Sequence, residues 1–280
     1  MTLLPDHLVV RVHDLKQTVA DFAELGFTIL HGGTHADGTT HNALIAFADG
    51  SYIELIAFLK EAREHRWWDE QRRTGEGFVD FALLPDSVAR AMEATYRRGL
   101  FYDGLVPGGR VRPDGTRLEW QIARPTTRDL PFLCGDLTPR FLRVPEGSAR
   151  EHRNGAAGLA SINVAVVDLD KSTARYRALL GDVPVHRATL TGQGVHVATL
   201  PIGTTTLVLL SPSGDAHGAA KPDETGNPSA LAAELRTHLA TRGEGLFGAA
   251  LRVANASQAR ALPRRLTHAA RLELVTAPSA

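Results

Sequence analysis

The chain of 280 residues, 43% apolar and 22% charged, is large enough to bury a sizeable core as one large or two modest domains. Lys plus Arg and Asp plus Glu are equal at 31 each, so no global field favours nucleic acid or an anionic membrane surface. A single cysteine, Cys134, excludes an intramolecular disulfide framework. No apolar stretch is long enough to span a bilayer, and the first residues, with Asp6, His7 and Arg11, carry no signal-peptide core, so a cytoplasmic protein is expected.

Residues 6–15 alternate as a strand and end at a helix-cap residue, Asp14; Lys16 to Leu25 follow as a helix stopped by Gly26. Strands are predicted at Phe27–Leu30, Ala43–Phe47 and Tyr52–Phe58, with Asp49-Gly50 as the last hairpin turn, giving the order β-α-β-β-β. The unit returns at Phe78–Leu84, with a helix over Ser87–Arg98, a stop at Gly99 and a later strand at Arg117–Ala123. It returns again at Leu159–Val167, with Asp168 as cap, a helix to Leu180 and strands at Val195–Leu200 and Thr205–Leu210. A fourth, fainter copy has Phe247–Val253, a helical stretch near Ala256–Leu262, and Leu272–Val275. Units of this kind expose an apolar face that a neighbour must cover, so they are expected in pairs. The predicted class is α+β: four paired βαβββ modules whose curved mixed sheets form cleft-like barrels. The first pair falls in 1–144 and the second in 159–280, with 145–158 as linker and 212–228 as a Gly/Pro-rich loop.

Two polar residues interrupt otherwise apolar strands. Glu54 lies in Ser51-Tyr-Ile-Glu-Leu-Ile-Ala-Phe58 and His7 precedes Leu8-Val-Val-Arg-Val12; a buried carboxylate needs a cation, a metal or hydrogen bonds to compensate it. By alternation His7, Val9 and Arg11 share one face of the first strand, and Tyr52, Glu54 and Ile56 share one face of the last. If both faces look into one hollow, His7 and Glu54 form an imidazole–carboxylate pair able to hold a metal, or else a structural ion pair. Aligning the helix stops puts Asp80 in the place of His7. Matching late strands puts Glu119 in the place of Glu54, with Gln121 on its face and Leu118, Trp120 and Ile122 on the other. In the third unit Ser161 and Val208 replace the pair, so that half reads as scaffold or as a wall of the pocket.

The segments Asp6-His-Leu-Val-Val, Gly38-Thr-Thr-His-Asn-Ala-Leu44, Tyr52-Ile-Glu-Leu-Ile56 and Pro131-Phe-Leu-Cys-Gly-Asp-Leu-Thr-Pro-Arg140 resemble the glyoxalase-like family of the vicinal oxygen chelate superfamily. The resemblance implies a cavity enclosed by paired modules, often holding a divalent metal on their first and last strands. It also implies isomerase or lyase chemistry on a small substrate whose vicinal oxygens chelate the ion. The alternatives it leaves are a non-catalytic binder that sequesters a small compound, or a ring-cleaving dioxygenase. The metal set expected is His7, Glu54, Asp80 and Glu119, an oxygen-rich site suited to Mn, Mg or Ni, with Zn or Fe as further options. Glu54, Glu119 and His41 are the candidate acid–base residues, and Arg11, Tyr52, Trp67, Gln121, Phe132 and Arg140 the candidate substrate contacts.

Arg110 and Arg112 precede the Glu119 strand and are able to grip a carboxylate or phosphate, although a solvated hairpin is the expectation there. His31 and His35 read as surface residues, Trp67 and Trp68 as a pocket wall or inter-module packing, and Cys134 as a small buried filler. No Gly-x-Gly-x-x-Gly follows a strand and no phosphate loop occurs, so no nucleotide cofactor is expected. The expected partner is a small molecule, with neither nucleic acid nor membrane involved, and the expected state is a monomer or homodimer.

Overall fold

The computed structural model describes residues 2–112, 114–214 and 230–276, and for Glu70 and Gln71 the backbone alone. Most of the loop expected at 212–228, and Pro113 of the turn before the Glu119 strand, lie outside the described residues.

The first unit is β1 (Leu3–Val12), α1 (Leu15–Glu24), β2 (Leu30–His35), β3 (Thr40–Ala46) and β4 (Tyr52–Phe58). Asp14 caps α1 by accepting from the Gln17 amide at 3.0 Å, as its place before the apolar period suggests. After α2 (Trp68–Thr74), the second unit comprises β5 (Gly77–Pro85), α3 (Val88–Tyr96), β6 (Tyr102–Val111), β7 (Arg117–Pro125) and β8 (Phe132–Asp136). The two units close one barrel in the order β1-β4-β3-β2-β6-β7-β8-β5. β1 runs parallel to β4 and β5 parallel to β8, while β1 and β5 are antiparallel. Leu8, Val10 and Val12, with Ala43, Ile45 and Ile53, face outward into the main core, which Phe22 of α1 also enters.

A short helix α4 (Arg140–Arg143) leads to the second half: β9 (Gly158–Ala165), α5 (Leu169–Leu180), β10 (His186–Leu190), β11 (Val195–Ile202), β12 (Thr205–Pro212), α6 (Ala230–Arg242), β13 (Gly245–Val253), β14 (Arg260–Ala261) and β15 (Leu272–Thr276). Its seven strands form one sheet, β10-β11-β12-β9-β13-β15-β14. The fourth unit is the truncated one. The helix expected near 256–262 is a single 3-10 turn, Ala256–Gln258, followed by the two-residue β14.

α5 and α6 lie on opposite faces of this sheet. Leu207 and Leu209 point to the main core with Tyr176 and Leu179 of α5, while Val208 and Leu210 meet Ala232, Leu235 and Leu239 of α6. The halves are tied together by side chains. Arg242 of α6 donates to the carbonyls of Thr74 (2.7 Å), Glu76 (2.6 Å) and Phe78 (3.3 Å), and His268 bridges Glu76 (2.8 Å) and Asp21 (2.9 Å). No helix among the described residues is long and apolar enough to cross a membrane.

Candidate functional site

The barrel encloses a hollow of about 340 Å³. One part of its wall is apolar: Val9, Ile56, Ala82, Phe132 and Cys134 are buried there, with Trp67, Trp120 and Ile122 packed against them. The other part is polar and comes from β1 to β4 and β6, through His7, His35, Asn42, Tyr52, Glu54 and Arg110. Glu54, 7% exposed, is the centre of that wall. Its Oε1 accepts from Asn42 Nδ2 at 2.6 Å and stands 3.6 Å from His35 Nε2, while its Oε2 stands 3.6 Å from His7 Nε2. A carboxylate buried this way is compensated by an amide and two imidazoles.

His7 is fixed from behind. Its Nδ1 meets Asp6 Oδ2 at 2.7 Å, and its ring stacks on Tyr52 with centroids 4.5 Å apart. Asp6 is fully buried and takes Arg143 Nη1 at 2.9 Å, Arg143 Nη2 at 3.2 Å and Arg140 Nη1 at 2.7 Å. Burial alone would push the Asp6 carboxyl up; Arg143, His7 and Arg140 together outweigh it and hold it well below the usual carboxylate range. Arg143 also binds Asp136 and the Tyr52 hydroxyl, the latter at 2.7 Å. His35 is pushed down mainly by burial, so it is held toward the neutral form; its Nδ1 lies 2.7 Å from Thr40 Oγ1. His65, on the rim, is driven down to about 4 by burial and by Arg124 and Arg66.

Of the residues expected from sequence, His7, Glu54, Tyr52, Trp67 and Phe132 line this hollow. The others are placed elsewhere, each for a readable reason. Asp80 lies in β5 beside a register shift opposite Val9 and Val10; it lines a different cavity, at the seam between the halves, and pairs with Arg66. Glu119 is exposed and pairs with Arg117 at 2.9 Å, and Gln121 shares its side of β7; Trp120, Ile122 and Arg124 are the β7 residues that look inward, the reverse of the expected faces. His41 lies between Thr40 and Asn42, which face the hollow, so it sits on the opposite, helix-covered side of β3 with Ala43 and Ile45. Arg11 is fully buried beyond the hollow, donating to the carbonyls of Trp67 (2.9 Å) and Gly75. Arg140 stands behind His7, bound to Asp6, Asp136 and the Gly50 carbonyl.

The strand register explains why the second unit contributes no matching acids. β8, not β7, is its last strand. The parallel pairing Ala82↔Phe132 corresponds to His7↔Tyr52, so Ala82 takes the position of His7 and Cys134 the position of Glu54. From sequence His35 reads as a surface residue and Arg110 as part of a solvated hairpin, and Asn42 is given no site role; the structure puts all three on the wall of the hollow. They sit on or beside glycine-rich strands, and the signal that finds them is the repeated Gly-Gly, at Gly32-Gly33 before His35 and at Gly108-Gly109 before Arg110. A Cβ on Gly108 would lie 2.1 Å from Trp120 Nε1, and one on Gly32 would lie 1.8 Å from Asn42 Oδ1. These glycines make room for the side chains of the site.

Among the described residues, no three His, Cys, Asp or Glu side chains are grouped so as to hold a metal ion. His7 Nε2 and Glu54 Oε2 offer a two-donor attachment, with His35 turned to the other carboxylate oxygen.

A barrel closed by two βαβββ units, hollow and polar at the ends of β1 and β4, is the architecture of the vicinal oxygen chelate superfamily. The profile of the Glyoxalase-like domain matches residues 6–180, and the chain belongs to that family. A hypothetical protein from Staphylococcus aureus shares the fold over 98% of this chain and 100% of its own, at TM-score 0.70 and 12% identity. A mutant of 4-hydroxymandelate synthase from Streptomyces coelicolor covers 90% of this chain with 72% of its own, at TM-score 0.59 and 15% identity. A fusion of a xylose isomerase-like TIM barrel with 4-hydroxyphenylpyruvate dioxygenase covers 91% of this chain with 37% of its own, at TM-score 0.54 and 15% identity. At these identities the likeness is one of fold. No curated protein gives a significant match.

Proposed function

We propose that the hollow is an active site for isomerase- or lyase-type proton transfer on a small, oxygen-rich organic molecule, with Glu54 and His7 as the proton-handling groups. The observation that carries this reading is the geometry at Glu54: a buried carboxylate with one oxygen held by Asn42 and the other facing His7 Nε2 at 3.6 Å. Asp6 accepts from Nδ1 of His7, which leaves Nε2 as the basic nitrogen pointing at the hollow. Glu54 can then take a proton from a carbon next to a carbonyl, while His7 exchanges one with a neighbouring substrate oxygen. Trp67, Trp120 and Phe132 give the reacting atoms an apolar wall on the other side of the hollow.

A divalent metal held by His7 and Glu54 is the second reading, favoured by the Asp6–His7 contact, because metal-bound histidines commonly give their other ring nitrogen to a carboxylate. When bound, such an ion would supply Lewis-acid stabilisation of charge on substrate oxygens.

The test is solvent hydrogen exchange. The protein is incubated in D₂O with a panel of α-hydroxy ketones and β-dicarbonyl compounds and followed by NMR, with and without chelator and with added Mn²⁺, Ni²⁺ or Zn²⁺. Carbon–deuterium incorporation is expected with the wild type and a loss of roughly 100-fold or more with Glu54→Gln. Exchange that is unchanged in that variant, or binding with no exchange at all, would replace the enzyme reading with that of a sequestering binder. Dependence on one of the ions supports the metal reading.

A further inference from the structure

Proton transfer by Glu54 and His7 leaves Arg110 of the hollow unused. It is 4% exposed, it lines the hollow, and it sits across from His35 where β2 pairs with β6. Its two assigned hydrogen bonds go to neutral acceptors, Asn42 Oδ1 at 3.1 Å and the Arg143 carbonyl at 3.0 Å. Among the described residues no carboxylate makes an ion pair with it, whereas Arg143, equally buried, has Asp6 and Asp136. A guanidinium carries five donors and a full charge, so two neutral acceptors leave it short of hydrogen bonds, and Glu54 acts on it only from a distance, with no direct ion pair.

Asn42 explains why this state persists. Its amide nitrogen donates to Glu54 Oε1 at 2.6 Å and its amide oxygen accepts from Arg110, so it stands between anion and cation and keeps them from collapsing into one pair. The absent side chain of Gly32 leaves the space for that arrangement, since a Cβ there would come within 2.3 Å of Arg110 Nη1. Both charges therefore stay available to a ligand. Burial, the first influence on Arg110, lowers its pKa, and an incoming anion would reverse that.

We propose that Arg110 is the anion-recognition residue of this hollow and that its ligand is an organic monocarboxylate with a compact aromatic or branched apolar tail. The carboxylate pairs with Arg110, and the tail lies against Trp120, Ile122 and Phe132. This deepens the reading above, resting on the same hollow but requiring no chemistry in it.

The experiment uses unreactive probes: benzoate, phenylacetate and 3-phenylpropionate, each against its primary amide, titrated into the whole protein by calorimetry and by the fluorescence of Trp67 and Trp120. At least one carboxylate is expected to bind roughly tenfold or more tightly than its amide, and Arg110→Gln to erase that preference. Arg110→Lys keeps the charge but not the fork and is expected to retain a reduced preference, which preserves the test if the glutamine variant fails to fold. The proposal is overturned if no carboxylate in the series outbinds its amide. It is also overturned if the preference persists undiminished in the Arg110 variants, or if it is lost in Arg124→Gln at the exposed rim instead. Glu54→Gln separates the two claims, because it ends hydrogen exchange but is expected to bind the carboxylates at least as tightly as the wild type.

Discussion

The two halves of this molecule begin from the same unit and treat the inner face of the sheet in opposite ways. In the barrel that face carries His7 and Glu54 around a hollow. In the second sheet the register puts Ser161 across from Thr206, as His7 is across from Tyr52, and so places Val208 where Glu54 would stand. Val208 does not face a cavity but packs against the cluster that α6 forms with Leu210 and Phe247. One half keeps its inner face open with buried charges; the other seals it with a helix. Charges around an open polar hollow have to be compensated by the protein or by a ligand, and a sealed face needs only shape and apolar area.

That contrast can be broken most severely at Arg143. Arg143→Ala removes the guanidinium shared by Asp6, Asp136 and Tyr52 and is expected to cost about 3–5 kcal/mol, read by urea denaturation. A cost below about 1 kcal/mol would mean that the barrel does not depend on its buried charges. Leu235→Ala, at a fully buried position of α6, is expected to cost about 2–4 kcal/mol and leave hydrogen exchange in the barrel intact. Gly108→Ala drives a methyl into Trp120 and is expected to cost about 1–3 kcal/mol, with a shifted tryptophan emission spectrum.

The smallest effect is one of pH. His238 of α6, pushed down to about 4 by burial and Arg242, stays neutral in the fold while the unfolded chain takes up a proton near 6.5. Its share of the stability is therefore complete above about pH 6.5 and is lost as the pH falls toward about 4. His238→Gln should flatten that part of the stability profile, and an unaltered acid limb would mean that other buried groups, His35, His65, His152 and Asp6 among them, set the loss.

Much of the fold was legible because the repeat is written in features with strong local causes. Asp14, Ser87 and Asp168 cap helices, glycine stops follow, and β4 and β12 are apolar runs of sheet length. β6 was not legible, because Gly104, Pro107, Gly108 and Gly109 depress every strand preference; its pairing with β7 and β2 overrides them. Missing β6 and β8 made β7 look like the last strand of its unit, which is how Glu119 took the place that Cys134 occupies. α6 went unread as well. Its apolar residues, Ala230, Leu231, Ala233 and Ala240 included, run round the helix, and Arg236 is buried beside the Ala232, Leu235 and Leu239 that pack on the second sheet, so the stripe has little contrast. His7 and Glu54 were legible because each breaks an apolar strand. Arg110 and His35 read instead as a solvated hairpin residue and a surface residue, because they break no apolar strand in segments already rich in glycine.

The three carbonyls taken by Arg242 have a consequence for how the chain comes apart. The helix that seals the second sheet ends in a hook set into the entry to β5, so withdrawing it would strip the inner face of one half and unfasten the first strand of the barrel's second unit together. Heating should therefore give a single melting transition, and limited proteolysis should leave no long-lived fragment corresponding to either half alone.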